Sequence, residues 1–212
     1  MGAVSRVRAA TGAVSAAAEA RPLLLSVGFT AAKTGAADAI AQTCLEGGPF
    51  DARRNAAFWV FGAWFLGGAQ YLALVRGMRA ALPDLDRCME LPLRQRLRDG
   101  GFHRLVLTQS LLEMGAWVPA AYFPMYYWTK MTIEGSSSLD RVAATLRANL
   151  VSDLRAFYLA WIPFTLANYV VTPLWLRVPA IGAYSMLWTV YLSVTRGPPE
   201  HSRPRRSAPR QD

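Results

Sequence analysis

Two polar side chains, four residues apart, stand inside the first long apolar segment of this chain. Asp38 and Gln42 share one face of a helix, because about 3.6 residues make a turn. A carboxylate and an amide on an inner face could line a water-filled path and favour cations. The same pair could instead lock helix packing, with Asp38 in an ion pair with Arg177 or with an arginine at positions 53–54. Lys33 must pair, snorkel or face water, since a cation in lipid costs ~2.5–3.5 kcal/mol.

Further polar residues stand in other apolar segments. Gln109 and Glu113 are again four apart, so they face the same way, and either a path or a hydrogen bond between helices would explain them. Asn168 and Arg177 lie in residues 161–193, an apolar stretch that also contains three prolines. Neighbouring helices in a membrane can satisfy the backbone groups that proline frees. We therefore expect Asn168 and Arg177 to face protein rather than lipid.

Residues suited to covalent or metal chemistry are scarce. The chain has two cysteines, Cys44 and Cys88, and two histidines, His103 and His201, too few and too scattered for a metal centre or a disulfide framework. It contains no Walker-type glycine loop, no Gly-x-Ser-x-Gly, no His-Glu-x-x-His and no Cys-x-x-Cys. We therefore expect no catalytic residue, no metal and no cofactor, and we do not expect an enzyme.

The composition is that of a membrane protein. Of 212 residues, 53% are hydrophobic and 17% are charged, against about 25% charged in soluble domains. The net charge is +9, but the arginines flank apolar segments rather than a soluble basic face. Membrane topology explains them better than nucleic-acid binding, which we do not expect. The expected partner is the lipid bilayer, with anionic lipids and a second copy of the chain as further candidates.

Apolar segments of about bilayer length predict an all-α integral membrane helical bundle. The last two segments are short, so their lengths permit four or five crossings. With four crossings, most Lys and Arg residues lie on the same side of the membrane as the N-terminus. With five crossings, these residues are divided almost evenly between the two sides. The positive-inside rule therefore favours four, with the last segment re-entrant, interfacial or paired with the fourth as a broken hairpin. The five segments are 22–42, 56–75, 105–128, 156–173 and 178–194.

A single membrane domain is expected over residues 21–195. Residues 1–20 bear arginines and a single acid, which fits either a mitochondrial presequence or the basic flank of the first helix. Residues 139–155 are amphipathic and predict an interfacial helix before the fourth segment. Residues 196–212 form a basic tail without apolar periodicity, and we expect it to be disordered.

Small residues recur at four-residue spacing in the first segment, where Ala31, Gly35 and Ala39 form one such row. In the second segment Ala63, Gly67 and Gly68 are small residues that can serve the same purpose. Small side chains let helix backbones approach closely in lipid. We expect the first two segments to pack tightly together.

The stretch from Trp161 to Ser193 resembles the C-terminal signature of the Mpv-seventeen / twenty-two-kilodalton peroxisomal membrane protein family. The family's Gly-Asp-x-x-x-Gln block near the first segment is met by Gly35, Asp38 and Gln42. The chain departs from the pattern where Ile162 separates the signature tryptophan from its proline. The C-terminal signature is met by Trp161, Asn168, Tyr169, Pro173, Arg177, Trp188, Tyr191, Leu192 and Ser193.

The resemblance implies a multi-pass organelle membrane protein with four crossings that forms a pore for small solutes or ions. It implies the mitochondrial inner membrane or the peroxisomal membrane, and the sequence is also compatible with a plastid membrane. The alternative function is a non-transporting membrane organiser, in which buried polar residues only hold helices together. The pore lining would be drawn from Asp38, Gln42, Glu113, Asn168 and Arg177.

Overall fold

The computed structural model describes residues 20–84, 92–96, 98–135, 138–170, 172 and 174–197. At residues 79, 93, 96, 169–170 and 174–179 it describes the backbone alone. The predicted N-terminal flank and C-terminal tail therefore lie almost entirely outside the described residues. The same is true of Pro173 and of the Arg177 side chain.

Six helices and no strand make up the described part of the chain, which confirms the all-α prediction. The first helix, α1, is Pro22–Ile40 continued by Ala41–Glu46. The next, α2, runs through Ala52–Val60, Phe61–Ala69, Tyr71–Gly77 and Met78–Ala81, and α3 is the single turn Leu93–Arg96. Helix α4 joins Gly100–Ser110, Leu111–Tyr122 and Phe123–Ile133, α5 is Leu139–Val170 and α6 is Leu174–Arg196.

Parts of three helices are wound as π-helix rather than α-helix. These parts are Ala41–Glu46 in α1, Phe61–Ala69 and Tyr71–Gly77 in α2, and Leu111–Tyr122 in α4. The section in α4 contains Pro119, which has no N–H to donate to the preceding turn. Wider turns of this kind commonly occur at functional sites.

The helices of the first half of the bundle alternate in direction. Thr30 and Thr34 of α1 donate to the carbonyls of Gly62 and Phe58 of α2, at 2.6 and 2.8 Å, so the two helices are antiparallel. Between α2 and α4, the rings of Phe65 and Trp117 stack at 5.8 Å and those of Phe58 and Tyr126 meet at 5.9 Å. This reversed order makes α4 antiparallel to α2.

Alternation continues to the last helix. Tyr158 of α5 donates to the carbonyl of Met114 of α4, and Tyr184 of α6 donates to the carbonyl of Ala160 of α5. The described part of α6 is one continuous helix, which forms an antiparallel hairpin with α5 and runs parallel to α1. It therefore ends at the same end of the bundle as α1. This arrangement does not confirm the predicted four crossings.

Close approach of the first two long helices depends on glycine. A Cβ atom at Gly62 would overlap the Thr34 side chain, and one at Gly67 would overlap the α1 backbone at Val27. At Gly35 a Cβ would overlap the indole of Trp59. The tight packing of the first two segments is thus present, with Gly62 as a further contact that the sequence did not single out.

The outer surface of the bundle is apolar. Two helical segments, Ala52–Gly77 and Leu139–Asn168, are long and apolar enough to cross a bilayer. Soluble monomers rarely expose so much continuous apolar surface, whereas a bilayer accommodates it. Exposed large apolar side chains from all five long helices include Leu24, Phe29, Trp64, Leu72, Leu107, Leu111, Leu159, Leu166, Ile181 and Leu187.

Candidate functional site

A cavity of about 420 Å³ lies among the five long helices. Each helix supplies part of its wall, with α1 and α2 contributing the half near the start of α1 and the end of α2. The cavity is largely aromatic and aliphatic, but it also contains a cation, an acid and several amides and hydroxyls. Polar or charged lining residues are Ser26, Thr30, Lys33, Gln70, Glu113, Thr165, Asn168, Ser185 and Thr189.

Lys33 and Glu113 bring one basic and one acidic side chain to the cavity wall. The Lys33 Nζ atom donates to Ser185 Oγ at 2.8 Å, and Ser185 Oγ donates in turn to the Gly182 carbonyl at 2.9 Å. No hydrogen bond or ion pair to Glu113 occurs among the described residues. An ionisable side chain at this depth is costly unless it is paired or meets water.

Four lining residues have a buried polar side-chain atom for which the described structure offers no hydrogen-bond partner. They are Gln70 Oε1, Trp117 Nε1, Trp161 Nε1 and Asn168 Oδ1. A buried polar atom without a partner costs about 1–3 kcal/mol. The polar groups around the cavity are therefore less completely paired than those of an ordinary packed core.

The end of the bundle where α1 stops is held by a buried ion pair. Arg54 Nε lies 3.0 Å from Asp38 Oδ1, and Arg54 Nη1 and Nη2 donate to the two oxygens of Glu46 at 2.6 and 2.7 Å. Arg54 Nη2 also donates to Ser193 Oγ at 2.6 Å, and Ser193 Oγ donates to Asp38 Oδ1 at 2.6 Å. One guanidinium thus joins α1, α2 and α6. We call Asp38, Arg54, Glu46 and Ser193 the Arg54 cluster.

Amides complete the shell of the Asp38 carboxylate. Gln42 Nε2 donates to Asp38 Oδ2 at 2.7 Å, and Asn55 Nδ2 donates to the same oxygen at 2.9 Å. Gln42 Oε1 accepts from the backbone N–H of Asp51 at 2.6 Å, while Asp51 Oδ1 accepts from the N–H of Arg54 and caps α2. Asp38 therefore has a partner on every side, which is the condition under which a buried charge is stable.

The Arg54 cluster and the cavity are separated by tightly packed side chains. Neither Asp38 nor Gln42 lines the cavity. The intervening layer closes the cavity toward the end of α1. It consists of Thr34, Phe58, Phe61, Phe123, Tyr126 and Leu192, each at most 3% exposed.

A second polar cluster joins α4, α5 and α6. Arg196 Nη2 lies 2.6 Å from Asp153 Oδ1, and the Tyr127 hydroxyl donates to Asp153 Oδ2 at 2.6 Å. Burial lowers the pKa of Arg196, but the hydrogen bond and the negative charge of Asp153 outweigh that effect and raise it above its ordinary value. Arg196 therefore stays charged at every pH at which the protein is stable.

Four of the predicted polar residues fall into two groups. Glu113 and Asn168 line the cavity, whereas Asp38 and Gln42 belong to the shell of the buried ion pair. Gln109 Oε1 is buried without a partner in the described part of the chain, and Gln109 is not among the cavity residues. One of the two alternatives for Asp38, the ion pair with an arginine at 53–54, is the arrangement in the structure.

The aromatic residues of the C-terminal signature lie in and beside the cavity wall. Trp161 and Trp188 line it, and Trp188 Nε1 donates to the Tyr122 hydroxyl at 3.2 Å. Tyr191 is half exposed and stacks on Trp188 at 5.1 Å. These rings fix the lateral position of α6 against α4 and α5.

Several participating residues were not found from the sequence, among them Gln70, Glu46 and Asn55. Gln70 is the amide of an otherwise apolar stretch, so the rule that marked Gln109 would have marked it as well. Glu46 and Asn55 flank the loop between α1 and α2, where polar residues are expected and carry no signal. Among the described residues, no group of three His, Cys, Asp or Glu side chains could hold a metal ion.

Comparison with known proteins agrees with the C-terminal signature. Residues 131–193 match the model of the Mpv17 / PMP22 family. The chain is 26% identical over 189 residues to Protein SYM1 of Candida albicans, a match that covers 82% of this chain and 89% of that protein. Over this part the chain therefore resembles the Mpv17 / PMP22 family.

A second relative matches over a shorter region. The chain is 32% identical over 75 residues to an uncharacterized protein of Schizosaccharomyces pombe, which covers 35% of this chain and 34% of that protein. No solved structure matches the chain significantly. The part that matches the Mpv17 / PMP22 family model includes Asp153, Trp161, Asn168, Trp188 and Ser193, which are residues of both polar clusters and of the cavity wall.

Proposed function

We propose that this chain belongs to the Mpv17 / PMP22 family and is a multi-pass organelle membrane protein whose cavity is part of a path for small solutes or ions. The observation that carries the proposal is the placement of Lys33 and Glu113 in a cavity inside a bundle with an apolar exterior. Ionisable side chains are rare in such bundles, and they usually mark a path or a water-filled space.

The path is closed at one end in this conformation. Between the cavity and the end of α1 stand the packed layer around Phe61 and the Arg54 cluster. Passage through the bundle therefore requires this end to loosen, and the Arg54 cluster is the part that opposes it. Removing the charge of Asp38 would weaken the closed state without altering the cavity wall.

The number of crossings is part of this proposal. The charge pattern favours four, while the alternating directions of the five long helices favour five. Helix α6 runs from the cavity, where Ser185 meets Lys33, to the cluster, where Ser193 meets Asp38. It therefore traverses the same length of the bundle as α1. We favour five crossings on this ground.

For the location we propose the mitochondrial inner membrane. The support is the basic, acid-poor composition of residues 1–20, together with the similarity to the Mpv17 / PMP22 family. The peroxisomal membrane is the alternative that the family name itself suggests. Import of the full-length chain into isolated mitochondria, compared with a chain lacking residues 2–20, tests the choice.

The second candidate is a membrane organiser without transport. It is favoured by the Arg54 cluster, whose hydrogen bonds and ion pairs hold α1, α2 and α6 together at one end of the bundle. In that function anionic lipids or a second copy of the chain would be the partners of its basic segments. Neither candidate gives the protein a catalytic step.

Reconstitution distinguishes the two candidates. The purified full-length protein is fused into planar bilayers, and single-channel currents are compared for wild type, Glu113→Gln and the control Asp140→Asn. Asp140 is exposed at the start of α5, so the control removes an acid without touching the cavity. The pore predicts discrete currents whose ion selectivity changes in Glu113→Gln only. The absence of single-channel currents over many fusions and a range of voltages would favour the organiser.

A further inference from the structure

We propose that the cavity binds a small zwitterion of the α-amino acid type with an apolar side chain. In this arrangement the ammonium of Lys33 receives the ligand's carboxylate, and the carboxylate of Glu113 receives its ammonium. The inference rests on the proposed function, because it names the class of molecule that the path would accept.

The first argument is the balance of charge. Among the residues that line the cavity in the described structure, Lys33 supplies the one amine and Glu113 the one carboxyl group. They form no ion pair with each other there, so neither neutralises the other. An anion would be attracted to Lys33 but repelled by Glu113. A cation would be attracted to Glu113 but repelled by Lys33. A zwitterion satisfies both charges at once.

The second argument is the unused hydrogen-bonding capacity of the two groups. An ammonium has three donors, and Lys33 Nζ gives one of them to a neutral hydroxyl, that of Ser185. The Glu113 carboxylate accepts no bond from a described residue. A carboxylate on the ligand would add a charge-assisted bond to Lys33, and charge-assisted bonds are about twice as strong as neutral ones.

The third argument is size and wall chemistry. A volume of about 420 Å³ is near the lower end of small-molecule sites, which span about 300–1,000 Å³. It suits a molecule such as leucine better than a nucleotide or a lipid. The cavity wall also includes Phe29, Phe157 and Phe164, which would bury an aliphatic side chain.

Binding to the purified full-length protein in detergent tests the pairing of charges. The probes are leucine, 4-methylpentanoate, which lacks the ammonium, and 3-methylbutylamine, which lacks the carboxylate. Calorimetry of wild type should show leucine binding about tenfold or more tightly than either analogue. Equal binding of all three probes, or no binding of leucine at millimolar concentration, would overturn the proposal.

Variants assign the two ends of the ligand. In Lys33→Met, leucine should bind no better than 3-methylbutylamine, and in Glu113→Gln no better than 4-methylpentanoate. Lys33→Arg keeps the positive charge and should keep the preference for leucine, which covers the case in which Lys33→Met does not fold. Asp140→Asn is the control and should bind like wild type. Loss of the preference in the control, or its survival in both charge-removing variants, would contradict the assignment.

Flux measurements separate this inference from the proposed function. Liposomes containing the protein are tested for release of leucine, of 4-methylpentanoate and of uncharged glycerol. If glycerol and both charged probes pass equally, the path exists and the zwitterion preference is wrong. If leucine binds but nothing is released, the binding site stands and the path is wrong. Leucine released faster than its carboxylate analogue supports both.

Discussion

Arg54 Nε lies 3.0 Å from Asp38 Oδ1, and both side chains are buried, at 3% and 0% exposure. The two residues come from adjacent antiparallel helices, and Ser193 of α6 bonds to both of them. A pair of charges in this environment is stable only because every donor and acceptor around it is used. The end of the bundle is therefore sensitive to the loss of any one member.

Replacing Asp38 by Asn should destabilise the protein strongly. The substitution preserves shape but leaves the Arg54 guanidinium paired with Glu46 alone, and breaking a buried pair by removing one partner costs about 3–5 kcal/mol. We expect a lower melting temperature in detergent, followed by circular dichroism. In bilayers the surviving folded protein should be open for a larger fraction of time, since the closed end is weakened.

The matched control for this change is Asp140→Asn, which removes the same charge from an exposed site. Its melting temperature should stay close to that of wild type. A melting temperature for Asp38→Asn equal to that of the control would show that the Arg54 cluster does not stabilise the fold.

Replacing Gly35 by Leu should also destabilise the protein, through contact rather than charge. Even a Cβ at this position overlaps the Trp59 indole, so the indole would have to leave its place between α1 and α2 or the two helices would have to separate. Gly28 is the control, because a Cβ there meets nothing within 4 Å. We expect Gly35→Leu to lower the melting temperature by several degrees more than Gly28→Leu. Equal effects would mean that the two helices can shift without cost.

The sequence predicted the positions of the helices well, but not where one helix ends and the next begins. The amphipathic residues 139–155 and the apolar residues 156–173 were expected as two elements, whereas Leu139–Val170 is a single helix. No glycine or proline interrupts residues 139–162, so nothing in that stretch ends a helix. Pro163 stands inside the helix, as proline can in bundles where neighbouring groups satisfy the freed carbonyl.

The candidate site was predicted in part. Spacing placed Asp38 and Gln42 on one helix face, and they do share the same hydrogen-bond network. The sequence could not show that this face meets Ser193, because that contact joins residues 155 positions apart and depends on how α6 packs. For the same reason it could not separate the cavity residues, such as Glu113, from the residues of the ion pair.

Replacing Arg196 by Met should loosen α6 from α5. The change removes the ion pair to Asp153 and leaves that buried carboxylate with a neutral donor, the Tyr127 hydroxyl, in place of a cation. We expect a loss of about 1–3 kcal/mol in the free energy of unfolding. Arg141→Met, at an exposed site on α5, should have little effect.

The contribution of Arg196 should not depend on pH in the accessible range. Its pKa is raised in the folded state, so the stabilisation is fully present below the unfolded-state pKa and is lost only as pH rises through the higher folded-state value. Both values lie above the range in which the protein is handled. The difference in melting temperature between wild type and Arg196→Met should therefore be constant from about pH 7 to pH 9. A difference that disappears within this interval would show that another group titrates in the cluster.

Side-specific labelling should place the C-terminal tail on the membrane face opposite the loop between α2 and α4. Five alternating helices lead to this result, because α6 is parallel to α1 and ends beside Ser193 and Arg54. Single cysteines at Ser207 and Ser137 are introduced into a chain lacking Cys44 and Cys88, and sealed vesicles are treated with an impermeant maleimide. The two cysteines should be labelled from the same side of the membrane. Two crossings, α5 and α6, lie between them and bring the chain back to the side on which it started. Labelling from opposite sides would support four crossings, with α6 held in the bundle without traversing the bilayer.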